Sequence, residues 1–262
     1  MSIIKTTDPI YYNNYNILSY VPGWFTTGTD VNRLANKTVD TFDLPNNPYS
    51  ATTNGTYNGK DIMISGILRT NGREALDSAL SLLRRMFKVD NATLQLPVSG
   101  EQRYFYNCSV KSIVPENVKG GYAEITIMLH ADDPHSYAIS TTELLNVVNL
   151  TSGNKSYPVT VDGTASQLPI ITFTVDSVTG GTNANVSFYN PSGKTIIVSR
   201  TWTANEVLVI DCKAETVKVD GLAVDYMGQF PEWESGSQYF NYNDTFTARQ
   251  VDINLTYSKR YE

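Results

Sequence analysis

Residues 61–88 read DIMISGILRTNGREALDSALSLLRRMFK, and this stretch combines a predicted strand with a predicted helix. Its first part, residues 61–68, is apolar and β-branched enough to form a strand. Gly66 inside that strand indicates a bulge or a close approach of another group to the backbone. A strand followed at once by a helix is the first sign of an α+β unit.

The helix is indicated by apolar residues at spacings of three and four, which lie on one helical face. We expect it to span residues 72–88. Asn71, with Glu74 three residues later, resembles a capping arrangement, and Arg84 and Arg85 suit the negative end of the helix dipole. The residues of the apolar face are Leu76, Ala79, Leu80, Leu83 and Phe87.

Alternating patterns after the helix predict an antiparallel sheet with one face covered by that helix. In residues 104–111 the alternation places Cys108 on the same face as Tyr104, Tyr106 and Val110. Residues 123–130 alternate in the same way. Residues 1–137 are therefore predicted to form one α+β domain. The face predicted for the second pattern consists of Ala123, Ile125, Ile127 and Leu129.

Residues 27–58 interrupt this domain with a polar stretch rich in Thr, Asn, Pro and Gly. A polar connection of that length inside a domain is usually a functional arm or loop.

Residues 138–262 lack helical periodicity and contain short apolar runs at the spacing typical of a β-sandwich. Asp220-Gly221 is a two-residue hairpin turn that would pair Val219 with Leu222 and Val217 with Val224. A second turn is predicted at residues 190–193. The predicted strands are residues 170–175, 185–189, 195–199, 207–210, 216–219, 222–224 and 251–257.

Composition restricts the function. The 262-residue chain has a formal net charge of −6 and no cluster of Lys and Arg, which argues against sequence-specific nucleic-acid binding. No signal-peptide core and no membrane-length apolar run are present, so we expect a soluble protein made in a cytoplasm. The two cysteines, Cys108 and Cys212, fall in different predicted domains and are expected to be buried free thiols.

We find no convincing catalytic, cofactor or metal site. His130 and His135 flank Asp132 and Asp133, a group that could bind a metal, but Asp133-Pro134 is more typical of a turn at a strand end. The paired carboxylates of a sugar hydrolase could be Glu232 and Glu234, but any two acids at this spacing on a strand point the same way, so exposure to solvent is the preferred explanation. The protein is predicted not to be an enzyme.

Four aromatic residues of the second domain leave a carbohydrate-binding function open. Trp233 and Tyr239 are the candidate sugar-binding residues, because aromatic rings on a sandwich can stack on sugars. The alternative is that these rings fill the sandwich core or a contact with another subunit. Trp202 and Tyr242 are subject to the same two interpretations.

The order of these features resembles the distal tail protein family of siphophages. In the first domain the resemblance lies in Trp24-Phe25, the strand 62–68, the helix 76–87, the strand 103–110 and the ending Asp133-Pro134-His135-Ser136-Tyr137, similar to the family's Asp-Pro-x-x-Tyr. In the second it lies in residues 209–212, 219–221, 230–236 and 251–257 with Arg260-Tyr261.

The resemblance implies a mainly β protein, with a tail-tube-like α+β domain followed by a galectin-like β-sandwich. It implies a virion structural protein at the distal end of the tail, in the tail tip or baseplate. The first domain would form a hexameric ring, single or stacked, that joins the tail tube to the tail-fibre hub and lets DNA pass. The implied partners are the tail tube protein, the hub protein, the tape-measure protein and a receptor-binding protein. Part of residues 27–58 would be an arm that reaches the neighbouring subunit.

Overall fold

The fold comes from a computed structural model, which describes residues 9–31, 37–38, 41–43, 50–52, 56–57 and 59–262. The chain divides into two units, Met1–Ile139 with Glu262, and Ser140–Tyr261. The division therefore falls after Ile139, close to the boundary after Tyr137 that the sequence predicts. Each unit has its own buried apolar core.

The described residues of the first unit form eleven strands, two helices and the start of a twelfth strand. In chain order they are β1 (Tyr11–Tyr12), β2 (Tyr15–Asn16), α1 (Ile17–Tyr20), β3 (Trp24–Asp30), β4 (Lys37–Thr38), β5 (Thr41–Asp43), β6 (Ser50–Thr52), β7 (Thr56–Tyr57), β8 (Lys60–Arg69), α2 (Arg73–Met86), β9 (Ala92–Val98), β10 (Glu101–Lys119), β11 (Tyr122–Ala131) and β12 (Ser136–Leu150).

An antiparallel sheet in the order β3, β8, β11, β10 forms the centre of this unit. β10 also pairs with β9 and with the start of β12, and β9 pairs with β1. The apolar face of α2 is buried against the sheet, with Leu76 and Leu83 fully enclosed. Burial of a Leu side chain stabilises a fold by about 1.5–3 kcal/mol, so this face fixes the helix on the sheet.

Two details of the first unit differ from the sequence prediction. The N-cap of α2 is Gly72, at φ 115° and with no side-chain hydrogen bond, so the capping role predicted for Asn71 is wrong. In β10, Asn107 has φ 52° and the register shifts between Phe105 and Cys108. Phe105 and Cys108 are both buried. The predicted strict alternation, which places these two residues on opposite faces of the strand, is therefore also wrong.

The second unit begins within β12 and contains ten further strands. They are β13 (Asn154–Val161), β14 (Ile170–Thr179), β15 (Ala184–Tyr189), β16 (Thr195–Arg200), β17 (Val207–Asp211), β18 (Thr216–Val219), β19 (Leu222–Ala223), β20 (Met227–Gly228), β21 (Gly236–Asp244) and β22 (Ala248–Tyr261). β12, β13, β20 and β21 were not predicted from the sequence pattern.

These strands form a β-sandwich. One sheet has the order β12, β22, β14, β17, β18, β19, and the other has the order β13, β21, β15, β16, β20. Aromatic rings fill the space between the sheets: the ring centroid of Phe173 lies 5.8 Å from that of Phe188 and 5.9 Å from that of Trp202. The mainly β fold class, with a helix on a sheet followed by a sandwich, is confirmed.

The predicted Asp-Gly hairpin is present between β18 and β19. Val219 pairs with Leu222, and both turn residues have positive φ, 50° at Asp220 and 81° at Gly221. Positive φ at both central positions defines the type I′ turn, whose twist matches that of the flanking strands. The turn at residues 190–193 is also present, because the Gly193 amide donates to the Asn190 carbonyl.

Candidate assembly surfaces

The edge strand β3 is the first candidate assembly surface. It ends the sheet order of its unit, and its outer edge pairs with no other strand in the described ranges. Phe25 on this strand is 46% exposed, an unusual position for a large aromatic residue. The register between β3 and β8 shifts between Thr26 and Gly28, which marks a bulge. An open edge with an exposed aromatic side chain offers backbone groups and apolar area to a partner chain.

Between β3 and β8 lie two further short antiparallel pairs. Lys37–Thr38 pairs with Thr56–Tyr57, and Thr41–Asp43 pairs with Ser50–Thr52. Each pair is nested inside the previous one, as in a hairpin that continues from β3 and β8. The polar stretch 27–58 thus contains hairpin pairing, and the residues between these pairs lie outside the described part of the chain.

The Asp133-Pro134-His135-Ser136-Tyr137 motif has a structural explanation. Asp133 Oδ1 accepts hydrogen bonds from the His135 amide at 3.0 Å and from His135 Nδ1 at 3.1 Å, and Asp133 Oδ2 accepts from the Tyr137 hydroxyl at 2.7 Å. Burial by itself would raise the pKa of Asp133, but these bonds lower it to about 2. The motif closes the turn before β12 around a charged carboxylate, as the turn interpretation of Asp133-Pro134 requires.

Asp61 is at the centre of a surface cluster with Lys111 and His130, a contact that the sequence pattern did not predict. Its Oδ1 lies 2.6 Å from Lys111 Nζ and 2.7 Å from His130 Nδ1. The hydrogen bond from Lys111 is the main cause that lowers the pKa of Asp61. Asp61 and His130 are direct partners in the pairing of β8 with β11, so only the register of these strands could have predicted their contact.

The described residues offer little chemistry. None of them forms a group of three or more His, Cys, Asp or Glu that could hold a metal ion. Cys108 and Cys212 are free and buried, and burial raises the pKa of each thiol to about 12, which makes both poor nucleophiles. Neither described helix is long and apolar enough to cross a membrane.

The two acids that flank Trp233 have separate partners. Glu232 forms an ion pair with Lys194, and Glu234 accepts a hydrogen bond from the Ser166 hydroxyl at 2.8 Å. A glycoside hydrolase typically needs two carboxylates, one on each side of the scissile glycosidic bond. Here each carboxylate has its own structural contact.

The four aromatic residues considered for sugar binding differ in their exposure. Trp233 is 1% exposed, and its Nε1 donates to the Tyr239 carbonyl at 3.0 Å, so its ring has no free face for stacking. Trp202 and Tyr242 are buried as well, and Tyr242 donates to Asp244, whose carboxylate pairs with Arg249. Tyr239 alone of the four is exposed, at 55%.

Comparison with known families identifies much of the second unit. Residues 162–261 match the family described as "Siphovirus-type tail component, C-terminal domain". The second unit is therefore similar to the C-terminal domain of a siphovirus-type tail component. No curated protein matches the chain.

The tail-component fold extends over the whole chain. The Dit protein of phage SPP1, described as a paradigm of hub adsorption apparatus in phages that infect Gram-positive bacteria, superposes with a TM-score of 0.70 at 13% identity, covering 98% of this chain and 100% of that one. This likeness shows the fold, and with the family match it confirms the resemblance to distal tail proteins.

Two other structures are less similar. A protein of the phage p2 baseplate in its activated conformation gives a TM-score of 0.44 at 9% identity, covering 95% of this chain and 97% of that one. The β-fructofuranosidase of Aspergillus kawachii gives 0.29 at 9% identity, covering 90% of this chain and 54% of that one. Neither likeness carries an argument about function.

Proposed function

We propose that this protein is a non-enzymatic structural component of the phage tail tip. Its first unit forms a hexameric ring that joins the tail tube to the tail-fibre hub, and DNA passes through the lumen of that ring. The tail tube protein and the tape-measure protein meet one side of the ring, and the hub protein meets the other. The second unit, a sandwich, presents surfaces to a receptor-binding protein.

The observation that carries the proposal is the combination of a family match and a fold match. A tail-component domain occupies residues 162–261, and the SPP1 Dit fold covers 98% of the chain. The first unit therefore has the fold of a hub protein even though the family match lies outside it.

The edge of β3 supports ring formation. A ring requires a heterologous interface, in which one surface of a subunit meets a different surface of its neighbour. The open edge of β3 with Phe25 is one such surface, and the hairpin pairs within residues 37–57 form an arm that contacts the neighbouring subunit. A net charge of −6 suits a DNA channel, because like charge discourages binding of the phosphate backbone.

The first experiment is the mass of the purified full-length protein by light scattering after size exclusion, followed by negative-stain imaging. We expect single or stacked rings with six-fold symmetry. A protein that stays monomeric alone and also in the presence of purified tail tube protein would contradict the proposal.

Two variants separate the contributions of the edge and the arm. Phe25→Asp places a charge on the β3 edge, and replacement of residues 32–58 by Asn-Gly removes the arm. Both should yield monomers with unchanged far-UV circular dichroism. Tyr239→Asp, which changes a somewhat more exposed aromatic residue of the sandwich, is the control and should still form rings. Intact rings after removal of residues 32–58 would show that the arm does not hold the neighbouring subunit.

A further inference from the structure

The outer face of the five-stranded sheet in the second unit has an unusual composition. Residues paired across antiparallel strands lie on the same face, so the register defines this face from β13 to β20. The alternate residues of the inner strands are mostly buried, and the cationic Lys155, which alternates with them on the edge strand β13, is exposed. Besides Asn154 at the start of β13, the outer-face residues are Ser156, Pro158, Thr160, Ser237, Tyr239, Asn241, Asn243, Asn185, Ser187, Tyr189, Thr195, Ile197, Ser199 and Met227.

None of these fourteen outer-face residues is charged. A soluble surface of this size ordinarily carries about four charged side chains. The outward face of the other sheet does carry them: Asp252 lies opposite Thr174, Asp211 opposite Ile170 and Lys218 opposite Val209. The absence of charge therefore belongs to one face of the sandwich and not to the whole unit.

The middle of the uncharged face consists of amides and hydroxyls held by cross-strand hydrogen bonds. The Ser187 hydroxyl donates to the Asn243 carbonyl at 3.1 Å, and the Ser199 hydroxyl donates to Asn185 Oδ1 at 2.6 Å. Asn241 Nδ2 donates to the Tyr189 carbonyl at 3.3 Å. Side chains already fixed in this way lose less rotamer freedom when a ligand binds.

We propose that the uncharged face binds a neutral oligosaccharide. Sugar hydroxyls both donate and accept hydrogen bonds, and carboxamides and hydroxyls are the side chains that do the same. Tyr239, 55% exposed and paired with Pro158, supplies an apolar ring face beside the Asn residues. An anionic glycan would find no cation among these fourteen residues.

The distribution of apolar residues favours a sugar over a protein as the ligand. Protein interfaces place aromatic and aliphatic anchors at their centre and polar residues at the rim. On the uncharged face the central strand carries Asn185 and Ser187 together with the aromatic Tyr189, whereas Pro158 and Met227 lie on the two edge strands, so no aliphatic anchor lies at the centre. The proposal stands independently of ring formation.

The test uses the full-length protein on an array of neutral, sialylated and sulfated glycans, followed by titration of the neutral glycan that binds most strongly. Binding to neutral glycans only is expected, with an affinity unchanged between about 50 and 500 mM NaCl, because salt screens only charged contacts. Tyr239→Ala and Asn243→Asp should each weaken binding by about tenfold, the effect of one lost contact of about 1.4 kcal/mol.

Tyr15→Ala is the matched control, because Tyr15 is 52% exposed but lies in the first unit. It should leave glycan binding unchanged, and all three variants should keep the melting temperature of the parent protein. Three outcomes would each overturn the proposal. They are an array without signal, binding restricted to anionic glycans, and glycan binding that Tyr239→Ala and Asn243→Asp leave unchanged. If the array is silent and a tail protein binds in a way that these two variants abolish, the uncharged face is a protein docking surface instead.

Discussion

The indole ring of Trp24 lies directly against the backbone of Gly66. A Cβ atom built on Gly66 would fall 2.2 Å from Cζ2 of that ring, far inside van der Waals contact. Trp24 is 3% exposed, and its Nε1 donates to Thr26 Oγ1 at 3.0 Å, so the ring is fixed in place. The glycine predicted to mark a close approach is therefore the position at which β8 accommodates the large side chain of β3.

Replacement of Gly66 by Ala should loosen the contact between β3 and β8. The added methyl group must displace a buried ring, and overpacking of this kind costs about 1–3 kcal/mol. Hydrogen-exchange mass spectrometry across Lys60–Arg69 should show faster exchange. Trp24→Phe, which removes the atoms nearest the new methyl, should reduce that effect in the double variant. Strictly additive effects of the two substitutions would contradict the contact.

Asp133→Asn should reduce stability at neutral pH and have less effect in acid. The pKa of Asp133 is about 2 in the folded protein and 3.8 ordinarily, so the charged carboxylate contributes stability above pH 3.8 that is lost as the pH falls towards 2. The shift corresponds to roughly 2 kcal/mol. Urea unfolding of Asp133→Asn and of the parent protein at pH 7 and pH 2.5 measures this loss of stability. Asp132→Asn, at the exposed neighbouring residue, is the control. An equal loss at both pH values would argue against the charged form of Asp133.

Neither cysteine should react in the folded protein. Burial raises the pKa of both thiols to about 12, so the reactive thiolate is scarce and shielded at pH 8. A colorimetric disulfide reagent should detect no fast thiol in the native state and two after unfolding in guanidinium chloride. A Ser237→Cys variant supplies an exposed thiol and should react at once. Rapid native reaction at Cys108 or Cys212 would show that its surroundings open readily.

Gly221→Ala should destabilise the hairpin between β18 and β19. Gly221 has φ 81°, a region that costs an L-residue about 1 kcal/mol or more. Asp220→Asn is the conservative control, because Asn tolerates positive φ and keeps the oxygen that accepts from the Val207 amide at 3.0 Å. Thermal unfolding should show a lower midpoint for Gly221→Ala than for Asp220→Asn, and the reverse order would exclude the type I′ turn.

Local signals made part of the fold predictable from sequence. The alternation of Ala123, Ile125, Ile127 and Leu129 is the buried face of β11, and the helical spacing from Leu76 onwards is the buried face of α2. The Asp220-Gly221 pair determined its turn type, because both residues tolerate the positive φ that a type I′ turn requires. In each case neighbours in sequence determine the outcome, so no knowledge of distant contacts was needed.

Other features depend on contacts between distant residues. The bulge at Asn107 breaks the period of β10, because positive φ at one residue moves Phe105 and Cys108 to the same buried side. β12 and β13 mix polar and apolar residues without clear alternation. The burial of Trp233 follows from its bridge to Gln167, which is far away in sequence.

The geometry of the hairpin that continues from β3 and β8 has an evolutionary consequence. Asp30 pairs with Met63 and Asp43 pairs with Ser50, so both strands advance by the same thirteen residues between these pairs (30 to 43 and 50 to 63). Equal insertions or deletions on the two sides would change the length of the arm and leave the pairing of β3 with β8 unchanged. Related phages could therefore adjust this arm to different tail tips by changes in gene length alone, while the core of the unit stays under separate selection.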